Sequence, residues 1–379
     1  MPRLGLLLLL VCCWLPLAAM QSESVGDLVE DPTAYLKKLK EEAAEYRLER
    51  LNATIEPKAD AEAAAAVTEI ETVYASGDFK ATYKLAARAF KRHRMTAGTQ
   101  TLGDLKRLQI LGYARYDKLS YAREELARLW FSFPDYARLD EAMLATLECA
   151  ERAQRFEALI DLDAEHPSEV VNIDGTGFAS EVIKVFRFLS DFGDRVAIGA
   201  RADLGLARAE LLGGDPKDLT PSRMAYSDFL SRHPNHPLTF TAICELALSH
   251  LITYRGELYD VGALINAAMI IDQAELVAGD DPEKAALVVK YRTRIRGWHQ
   301  DRDLSVARWY RGRHRPAWLA WLKEPSDYNW DEAARFYYNE VILRDAASDQ
   351  ARAARRELES LPPSGQAPFR ADLLPETAR

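Results

Sequence analysis

The stretch Ser222–Pro234, which reads SRMAYSDFLSRHP, carries the residue spacing that decides the fold. Ser222 is followed four positions later by Tyr226, three positions after that by Phe229, and five positions further on by Pro234. A small residue allows a neighbouring helix to approach closely, and the two large rings fill the groove beside it. Proline ends the helix because it lacks an N–H group. The stretch therefore predicts a helix that packs tightly against a partner.

The same spacing occurs twice more along the chain, together with two predicted turns. The repeated pattern is Ala122, Leu126, Leu129 and Pro134 in one place, and Ala334, Tyr338 and Val341 with Ala346 in the other. Leu108 and Gly112 fit a first helix of such a pair, in which glycine allows a close approach. The turns between paired helices are predicted at Gly77-Asp78-Phe79 and at Gly213-Gly214-Asp215.

Prolines mark a regular period. Pro134, Pro167 and Pro234 are separated by 33 and 67 residues, which also predicts boundaries near residues 100 and 200. A period of about 34 residues is that of tetratricopeptide repeats, units of two antiparallel helices that stack on their neighbours. We therefore predict an all-α fold, an α-solenoid of tetratricopeptide-like helix pairs over residues 61–360.

Composition agrees with this prediction. Apolar residues make up 48% of the 379 residues, enough to bury a substantial core, while glycine (19) and proline (17) are few. Strand-like alternation bounded by turn residues is nearly absent, so the sequence offers no basis for a sheet.

The first twenty residues indicate export. A positive charge at Arg3 precedes the apolar run Leu4–Leu17, and small residues lead into a polar segment. This layout predicts a signal peptide over residues 1–20, with an uncleaved N-terminal anchor as the alternative. Bacterial lipoproteins are anchored through a cysteine at the end of such a signal, so Cys12 and Cys13 are candidates for lipid attachment.

Three other segments complete the predicted organisation. Residues 21–60 form a polar spacer that contains a charged helix, Pro32–Leu51, and residues 361–379 form a proline-rich, disordered tail. Cys149 and Cys244 lie far apart in helical patterns. They are interpreted as small buried apolar residues, with one disulfide as the alternative.

The segment HPNHP raises the question of a metal or proton-handling site. We expect Pro234 to end one helix, Asn235 to form the turn, and Pro237 to open the next helix at its first position. His233 and His236 would need further convergent ligands to hold a metal, and no zinc-binding motif accompanies them. The joint between helices is the favoured interpretation, and an envelope enzyme or metal protein that uses the two histidines is the alternative.

Charge and tryptophan content single out the C-terminal part of the chain. Residues 290–315 hold nine lysines and arginines against two aspartates, although the whole chain has a net charge of −9. This stripe fits an acidic partner or anionic lipid, or else arginines that pair with neighbouring acids. The tryptophans beside it fit a partner-binding surface, or a cap on the last helices. The candidate partner-binding residues are Arg308, Arg311, Arg313, Arg315, Trp318, Trp321 and Trp330.

The sequence contains no recognisable catalytic, cofactor-binding or metal-binding motif. None of three common motifs occurs in the sequence context that it requires: a phosphate-binding loop, a nucleophile elbow or paired acid–base residues. We therefore predict a non-enzymatic protein without a cofactor, and export argues against nucleic acid as a partner.

Three stretches within residues 222–360 carry a family resemblance: FLSRHPNHPLTFTAICELALSHL from Phe229, DRDLSVARWYRGR from Asp301, and EAARFYYNEVILRDAASDQARAARREL from Glu332. Together they resemble the BamD-type outer-membrane assembly lipoproteins. Of these, the L-S-V-A-R element is the most specific.

The resemblance implies an exported scaffold in the periplasm, associated with the outer membrane, that helps to insert β-barrel proteins. Its partners would be other subunits of the assembly complex or unfolded outer-membrane proteins. The alternative is an interaction protein with another envelope task, such as coordination of cell-wall synthesis or of the division complex, because a fold does not fix a function.

Overall fold

The computed structural model describes residues 32–154, 179–193, 198–213, 218–254, 261–312 and 330–361. These residues form fourteen α-helices and no β-strand, which confirms the predicted all-α class. The helices are α1 (Pro32–Leu51), α2 (Pro57–Ala75), α3 (Phe79–His93), α4 (Thr99–Arg115), α5 (Leu119–Ser132), α6 (Leu139–Gln154), α7 (Ala179–Phe192), α8 (Gly199–Gly213), α9 (Thr220–Arg232), α10 (Thr239–Leu251), α11 (Gly262–Ala278), α12 (Pro282–Arg311), α13 (Trp330–Arg344) and α14 (Asp349–Glu359).

Helices that follow one another in the chain pack together, as in a helical-repeat solenoid. Packed neighbours include α2 with α3, α4 with α5, α8 with α9, α10 with α11, and α12 with α13. The chain divides into two compact units, Met1–Ala142 and Met143–Arg379, with the boundary inside α6. The predicted fold of helix pairs is confirmed.

The repeat is longer than the predicted 34 residues. In the first unit, α2 and α4 begin 42 residues apart, at Pro57 and Thr99. In the second, α8, α10 and α12 begin at Gly199, Thr239 and Pro282, which are 40 and 43 residues apart. The expected boundaries near residues 100 and 200 are present as the starts of α4 and α8. The connections contribute to the longer period, since residues 252–261 alone separate α10 from α11.

The recurring spacing marks the centre of each helix pair. The first three positions of each pattern are completely buried: Ala122, Leu126, Leu129, Ser222, Tyr226, Phe229, Ala334, Tyr338 and Val341. Gly112 on α4 lies so close to α3 that a Cβ atom would come within 2.8 Å of the backbone nitrogen of Tyr83. The close approach of α4 to α3 that the sequence predicted from Gly112 is therefore present.

The predicted turn between α2 and α3 is also present. Gly77 has a φ of +85°, a conformation that glycine adopts without strain. The side chain of Asp78 caps α3 by accepting a hydrogen bond of 2.9 Å from the backbone N–H of Ala81.

The first helix belongs to the packed unit rather than to a spacer. It covers Pro32–Leu51, as the sequence predicts, but it packs against α5. Leu39 and Ala43 are buried, and the hydroxyl of Tyr46 donates a hydrogen bond of 3.0 Å to the carbonyl of Arg94. This corrects the predicted spacer over residues 21–60: from residue 32 onward the segment covers apolar surface of the first unit.

Three apolar clusters hold the second unit together. One joins α8, α9 and α10, a second joins α10, α11 and the first half of α12, and a third joins the second half of α12 to α13 and α14. The thirty residues of α12 therefore serve two clusters in succession. Leu361, at the start of the predicted tail, is buried in the third cluster. The remaining tail residues, 362–379, lie outside the described residues, as does the predicted signal over 1–20.

The His-Pro turn joins two helices, but Pro237 does not open the second. Helix α9 ends at Arg232, whereas α10 begins at Thr239, two residues after Pro237. The turn holds itself together, since the hydroxyl of Thr239 donates a 2.8 Å hydrogen bond to the carbonyl of His233. The backbone N–H of Leu238 also donates to His236 Nδ1, at 3.2 Å. These bonds delay the first helical residue.

The two cysteines outside the predicted signal behave as small apolar residues. Cys149 and Cys244 are both buried, and neither forms a disulfide. Burial raises the pKa of the Cys244 thiol to about 12, with a further contribution from the nearby carboxylate of Glu245. The interpretation as buried residues is confirmed.

Candidate protein-binding surface

Aromatic rings gather where the end of α12 meets the start of α13. The rings of Tyr310 and Trp330 stack at 5.8 Å between centroids, and Tyr310 also stacks on Tyr337 at 5.7 Å. Trp309 meets Trp330 edge-on at 6.3 Å and is 40% exposed. The buried rings hold the Trp309 side chain in one place at the surface.

Two arginines in the last turn of α12 share one acid. Arg308 donates two hydrogen bonds to Glu357 Oε1, at 3.0 and 2.8 Å, and Arg311 lies 3.5 Å from Glu357 Oε2. The hydroxyl of Tyr338 donates to the same carboxylate at 2.8 Å. We call the set Arg308, Trp309, Arg311, Trp330 and Glu357 the aromatic–arginine cluster.

The electrostatics of this cluster follow from burial and pairing. Burial alone would raise the pKa of Glu357, but the hydrogen bonds from Arg308 and Tyr338 outweigh it and hold that pKa below its usual range. Burial and the bond to Glu357 raise the pKa of Tyr338 to about 12. The acid is therefore ionised at neutral pH, and two positive charges surround one negative charge.

The structure describes three of the seven predicted partner-binding residues. Arg308 and Arg311 share Glu357, whereas Trp330 contacts the Trp309 and Tyr310 rings and is partly buried against the third apolar cluster. The remaining predicted residues lie outside the described residues: Arg313, Arg315, Trp318 and Trp321, together with the lipidation candidates Cys12 and Cys13. Sequence reasoning missed Trp309, although its position in the predicted basic helix next to Arg308 was a usable signal.

Several arginines of the basic stripe are neutralised by acids, either on a neighbouring helix or on α12 itself. Arg292 donates to Asp272 at 2.6 Å and to Glu275 at 2.7 Å, both on α11. Arg302 pairs at 2.8 Å with Asp303, which is almost completely buried. Pairing with neighbouring acids was one of the two interpretations of the stripe, and it holds for these arginines and for Arg308 and Arg311.

The two histidines of the HPNHP turn are held by hydrogen bonds and border a cleft. His233 Nε2 lies 2.9 Å from Asp203 Oδ2, and the hydroxyl of Ser190 donates to the other oxygen of the same carboxylate. The cleft of about 830 Å³ is lined in part by Arg232 and His236. Asp203 is buried on α8, so these bonds fasten α7 and the end of α9 to α8.

This arrangement differs from a catalytic triad. A serine nucleophile needs its hydroxyl bonded to a histidine base, whereas the Ser190 hydroxyl is bonded to the carboxylate. In the part of the chain that the structure describes, no group of three or more His, Cys, Asp or Glu residues is placed to hold a metal ion. The geometry fits a joint between helices.

Searches among known proteins give no relative for this chain: no family model, no curated protein and no solved structure matches it. Among the described helices, none combines the length and the apolar character needed to cross a membrane.

Proposed function

We propose that this protein is a non-enzymatic scaffold that binds other proteins, and that the aromatic–arginine cluster is one of its binding surfaces. The observation that carries the proposal is the exposed Trp309 ring, held by Trp330, on the same last turn of α12 that carries Arg308 and Arg311. Tryptophan and arginine are the residues most enriched among those that dominate binding energy at protein interfaces. A ring that is already fixed loses little conformational freedom on binding.

The fold supports the same role. Stacked helix pairs present preformed surfaces to partners, and such arrays serve many different binding tasks. The bonding of the Ser190 hydroxyl to Asp203 supports a structural use of the cleft beside the HPNHP turn. A non-enzymatic role needs neither a nucleophile nor a cofactor.

The cellular task in this proposal is assembly of outer-membrane β-barrel proteins. The support comes from the predicted export signal and from the resemblance of residues 222–360 to BamD-type lipoproteins. The protein would be exported, would lie in the periplasm against the outer membrane, and would bind assembly-complex subunits or unfolded outer-membrane proteins. A periplasmic interaction protein for cell-wall synthesis or division is the competing assignment.

Affinity capture tests both parts of the proposal. The tagged full chain is expressed in its native host and purified from detergent-solubilised membranes, and its partners are identified by mass spectrometry. We expect β-barrel assembly subunits to be captured. Trp309→Ala should reduce their recovery about tenfold, the effect of losing an interface tryptophan worth more than 1 kcal/mol.

Tyr116→Ala is the matched control, because Tyr116 is also 40% exposed but lies at the end of α4. It should leave recovery unchanged, and circular dichroism should show both variants folded. Equal loss with both variants would overturn the assignment of the surface. Recovery only from the cytosol would overturn the envelope task, and partners confined to cell-wall synthesis would replace it with the competing one.

A further inference from the structure

A second surface of α12, distinct from the aromatic–arginine cluster, forms a groove with α11 and α13. The groove has a volume of about 250 Å³. It is lined by Ala268, Asp272, Arg292, Ile295, Arg296, His299 and Arg344. We call it the α11–α13 groove. Three arginines face a single acid across it, so its lining is positively charged.

Two of these arginines have donors to spare. Arg296 is exposed and forms no ion pair with the residues that the structure describes. Arg344 uses its Nε to donate a 2.9 Å hydrogen bond to Asp303 Oδ2, and its two terminal nitrogens make no hydrogen bond within the described residues. Arg292, in contrast, is already held by Asp272 and Glu275. Arg296 and Arg344 are thus the donors available to a bound anion.

His299 lines the groove from the buried side of α12 and has an unsatisfied nitrogen. It is 6% exposed, and its Nδ1 has no hydrogen-bond partner in the described part of the chain. Its ring hydrogen-bonds the backbone of Leu264, and burial together with the charge of Arg344 lowers its pKa to about 4. A neutral ring that donates through Nε2 leaves Nδ1 as an acceptor, but this atom exposes less than 1 Å² of surface, so His299 forms part of the buried wall of the groove.

Exposed apolar side chains adjoin the charged lining. On α11, Met269 follows the lining residue Ala268 and is 60% exposed, and Ile265, one turn earlier, is 37% exposed. A small inorganic anion would leave these side chains in water, whereas a peptide could cover them.

We propose that the α11–α13 groove binds an acidic, leucine-containing segment of a partner protein. A carboxylate of the segment pairs with Arg296 and the terminal nitrogens of Arg344, since arginine forks bind carboxylates in bidentate fashion. The apolar side chains of the segment cover Ile265 and Met269. The proposal rests on the protein-binding role above but concerns a different surface and a defined partner chemistry.

Fluorescence polarisation with the full chain tests this proposal. The probe is a short, C-terminally amidated peptide of alternating aspartate and leucine, labelled with fluorescein at its N-terminus. We expect the equivalent asparagine–leucine peptide to bind at least about tenfold more weakly, because each charge-assisted hydrogen bond is worth about 1.5–3 kcal/mol. Arg296→Gln should raise Kd about tenfold for the same reason, and Met269→Ser about threefold.

Matched variants separate these effects from changes in net charge or surface hydrophobicity. Arg88→Gln removes an exposed arginine of α3 that has no ion pair among the described residues, and Met224→Ser removes an α9 methionine that is 62% exposed. Both should bind the probe as the unmodified chain does. Equal weakening by Arg296→Gln and Arg88→Gln would overturn the proposal.

Two further arms distinguish other occupants. If millimolar phosphate displaces the probe, the occupant is a simple anion and the proposal is overturned. If the chain binds phosphatidylglycerol vesicles but not the peptide, and Arg296→Gln abolishes the vesicle binding, the occupant is a lipid surface and the proposal is likewise overturned. Trp309→Ala should bind the probe unchanged. If the chain binds the probe but captures no assembly subunits from membranes, only the proposed function is refuted. If it captures the subunits but does not bind the probe, only the groove proposal is refuted.

Discussion

The helix pairs α4–α5 and α8–α9 share a buried residue pattern but differ in the polar groups that they enclose. In the first pair the pattern is the apolar set Ala122, Leu126 and Leu129, and in the second it is Ser222, Tyr226 and Phe229. The Ser222 hydroxyl donates a 2.9 Å hydrogen bond to the carbonyl of Ala207 on α8. The pattern thus sets how closely the backbones approach, whereas each pair has its own polar chemistry.

Each region also contains a buried acid, with different partners. Glu125 on α5 pairs with Lys106 on α4, whose ammonium lies 4.3 Å from the ring centroid of Phe90 and 3.4 Å from Gln109 Oε1. Arg128 pairs with Glu125 as well, at 2.8 Å. If Glu125 were removed, Lys106 would therefore keep its contacts with Gln109 and the Phe90 ring.

In the second region the acid is tied by a fork and a phenol. Arg208 donates to both oxygens of Glu245, at distances from 2.6 to 3.1 Å, and the Tyr226 hydroxyl donates to Oε2 at 3.0 Å. The side chain of Glu245 is 4% exposed and lies on α10, so the network joins α8, α9 and α10. The same packing pattern is therefore compatible with two arrangements: a buried acid whose cationic partner has other contacts, and a buried acid that joins three helices.

The largest expected effect comes from removing the acid in each region. Glu245→Ala should lower the free energy of unfolding by about 3 kcal/mol, because the buried Tyr226 hydroxyl and the guanidinium fork of Arg208 lose the carboxylate that they share. Glu125→Ala should cost about half as much, since Lys106 retains Gln109 and the Phe90 ring. Urea unfolding followed by circular dichroism measures both.

The double variant Arg208→Met/Glu245→Leu is the control for this prediction. It removes both charges and should recover much of the lost stability, as replacement of buried ion pairs by apolar residues often does. Equal costs for the two single variants would break the distinction between the two regions.

The next effect concerns glycines on the first helix of each pair. A Cβ atom added at Gly112 would lie 2.8 Å from the backbone nitrogen of Tyr83 on α3, whereas one added at Gly205 on α8 would meet the buried ring of Phe186 on α7. Gly112→Ala and Gly205→Ala should each cost about 2 kcal/mol through overpacking. Thermal unfolding measures the loss.

A second substitution sharpens the contrast. Phe186→Leu should relieve Gly205→Ala, because the obstacle there is a side chain, and no single side-chain change should relieve Gly112→Ala, because the obstacle is backbone. Rescue that failed at Gly205 would show that the α7–α8 contact is also limited by its backbone.

Acid should weaken the second unit through its buried histidines. Burial and neighbouring arginines lower the pKa values of His250 and His299 to about 4, below the ordinary value of 6.5. The unfolded chain therefore binds protons first as the pH falls, and stability that is fully present above pH 6.5 is lost as the pH approaches 4. For His299 the loss by pH 4.5 should be about 2 kcal/mol.

His299→Gln isolates this contribution, since an amide can still donate to the Leu264 carbonyl but does not titrate. Urea unfolding at pH 7 and pH 4.5 should show a smaller difference between the two pH values in this variant. An identical difference in the variant and the unmodified chain would contradict the assignment to His299.

The smallest effect has the opposite sign. Gly297 lies inside α12, and a Cβ atom there would meet nothing within 4 Å. Gly297→Ala should therefore stabilise the chain by about 0.5–1 kcal/mol, because glycine has the greater backbone freedom in the unfolded state. An upward shift of the thermal midpoint is the expected result, and destabilisation would show that α12 needs this glycine.

The predictable part of the fold is the local part. The buried triplets, the turn at Gly77 and the close approach at Gly112 follow from the side-chain spacing within one or two helices. The docking of α1 on α5 could not be predicted, because its apolar residues are few and their partners lie far along the chain. The predicted repeat period is too short because prolines mark helix ends, whereas the connections vary in length.

The candidate site was predictable only in part for the same reason. The basic stripe identified Arg308 and Arg311, but their shared partner Glu357 lies some fifty positions away and depends on the register of α14 against α12. The L-S-V-A-R resemblance is carried largely by buried residues, among them Leu304, Val306 and Ala307. That resemblance therefore concerns packing first, and the task of the protein must be tested separately.

The length of α12 fixes the geometry between the two proposed binding surfaces. Arg296 and Trp309 are thirteen positions apart on this one helix. Their separation is about 20 Å along the axis and about 140° around it, at the usual rise and turn per residue. A partner with a flat surface can therefore reach only one of them. Helix α12 would then hold two different proteins on opposite sides, at a constant distance from each other.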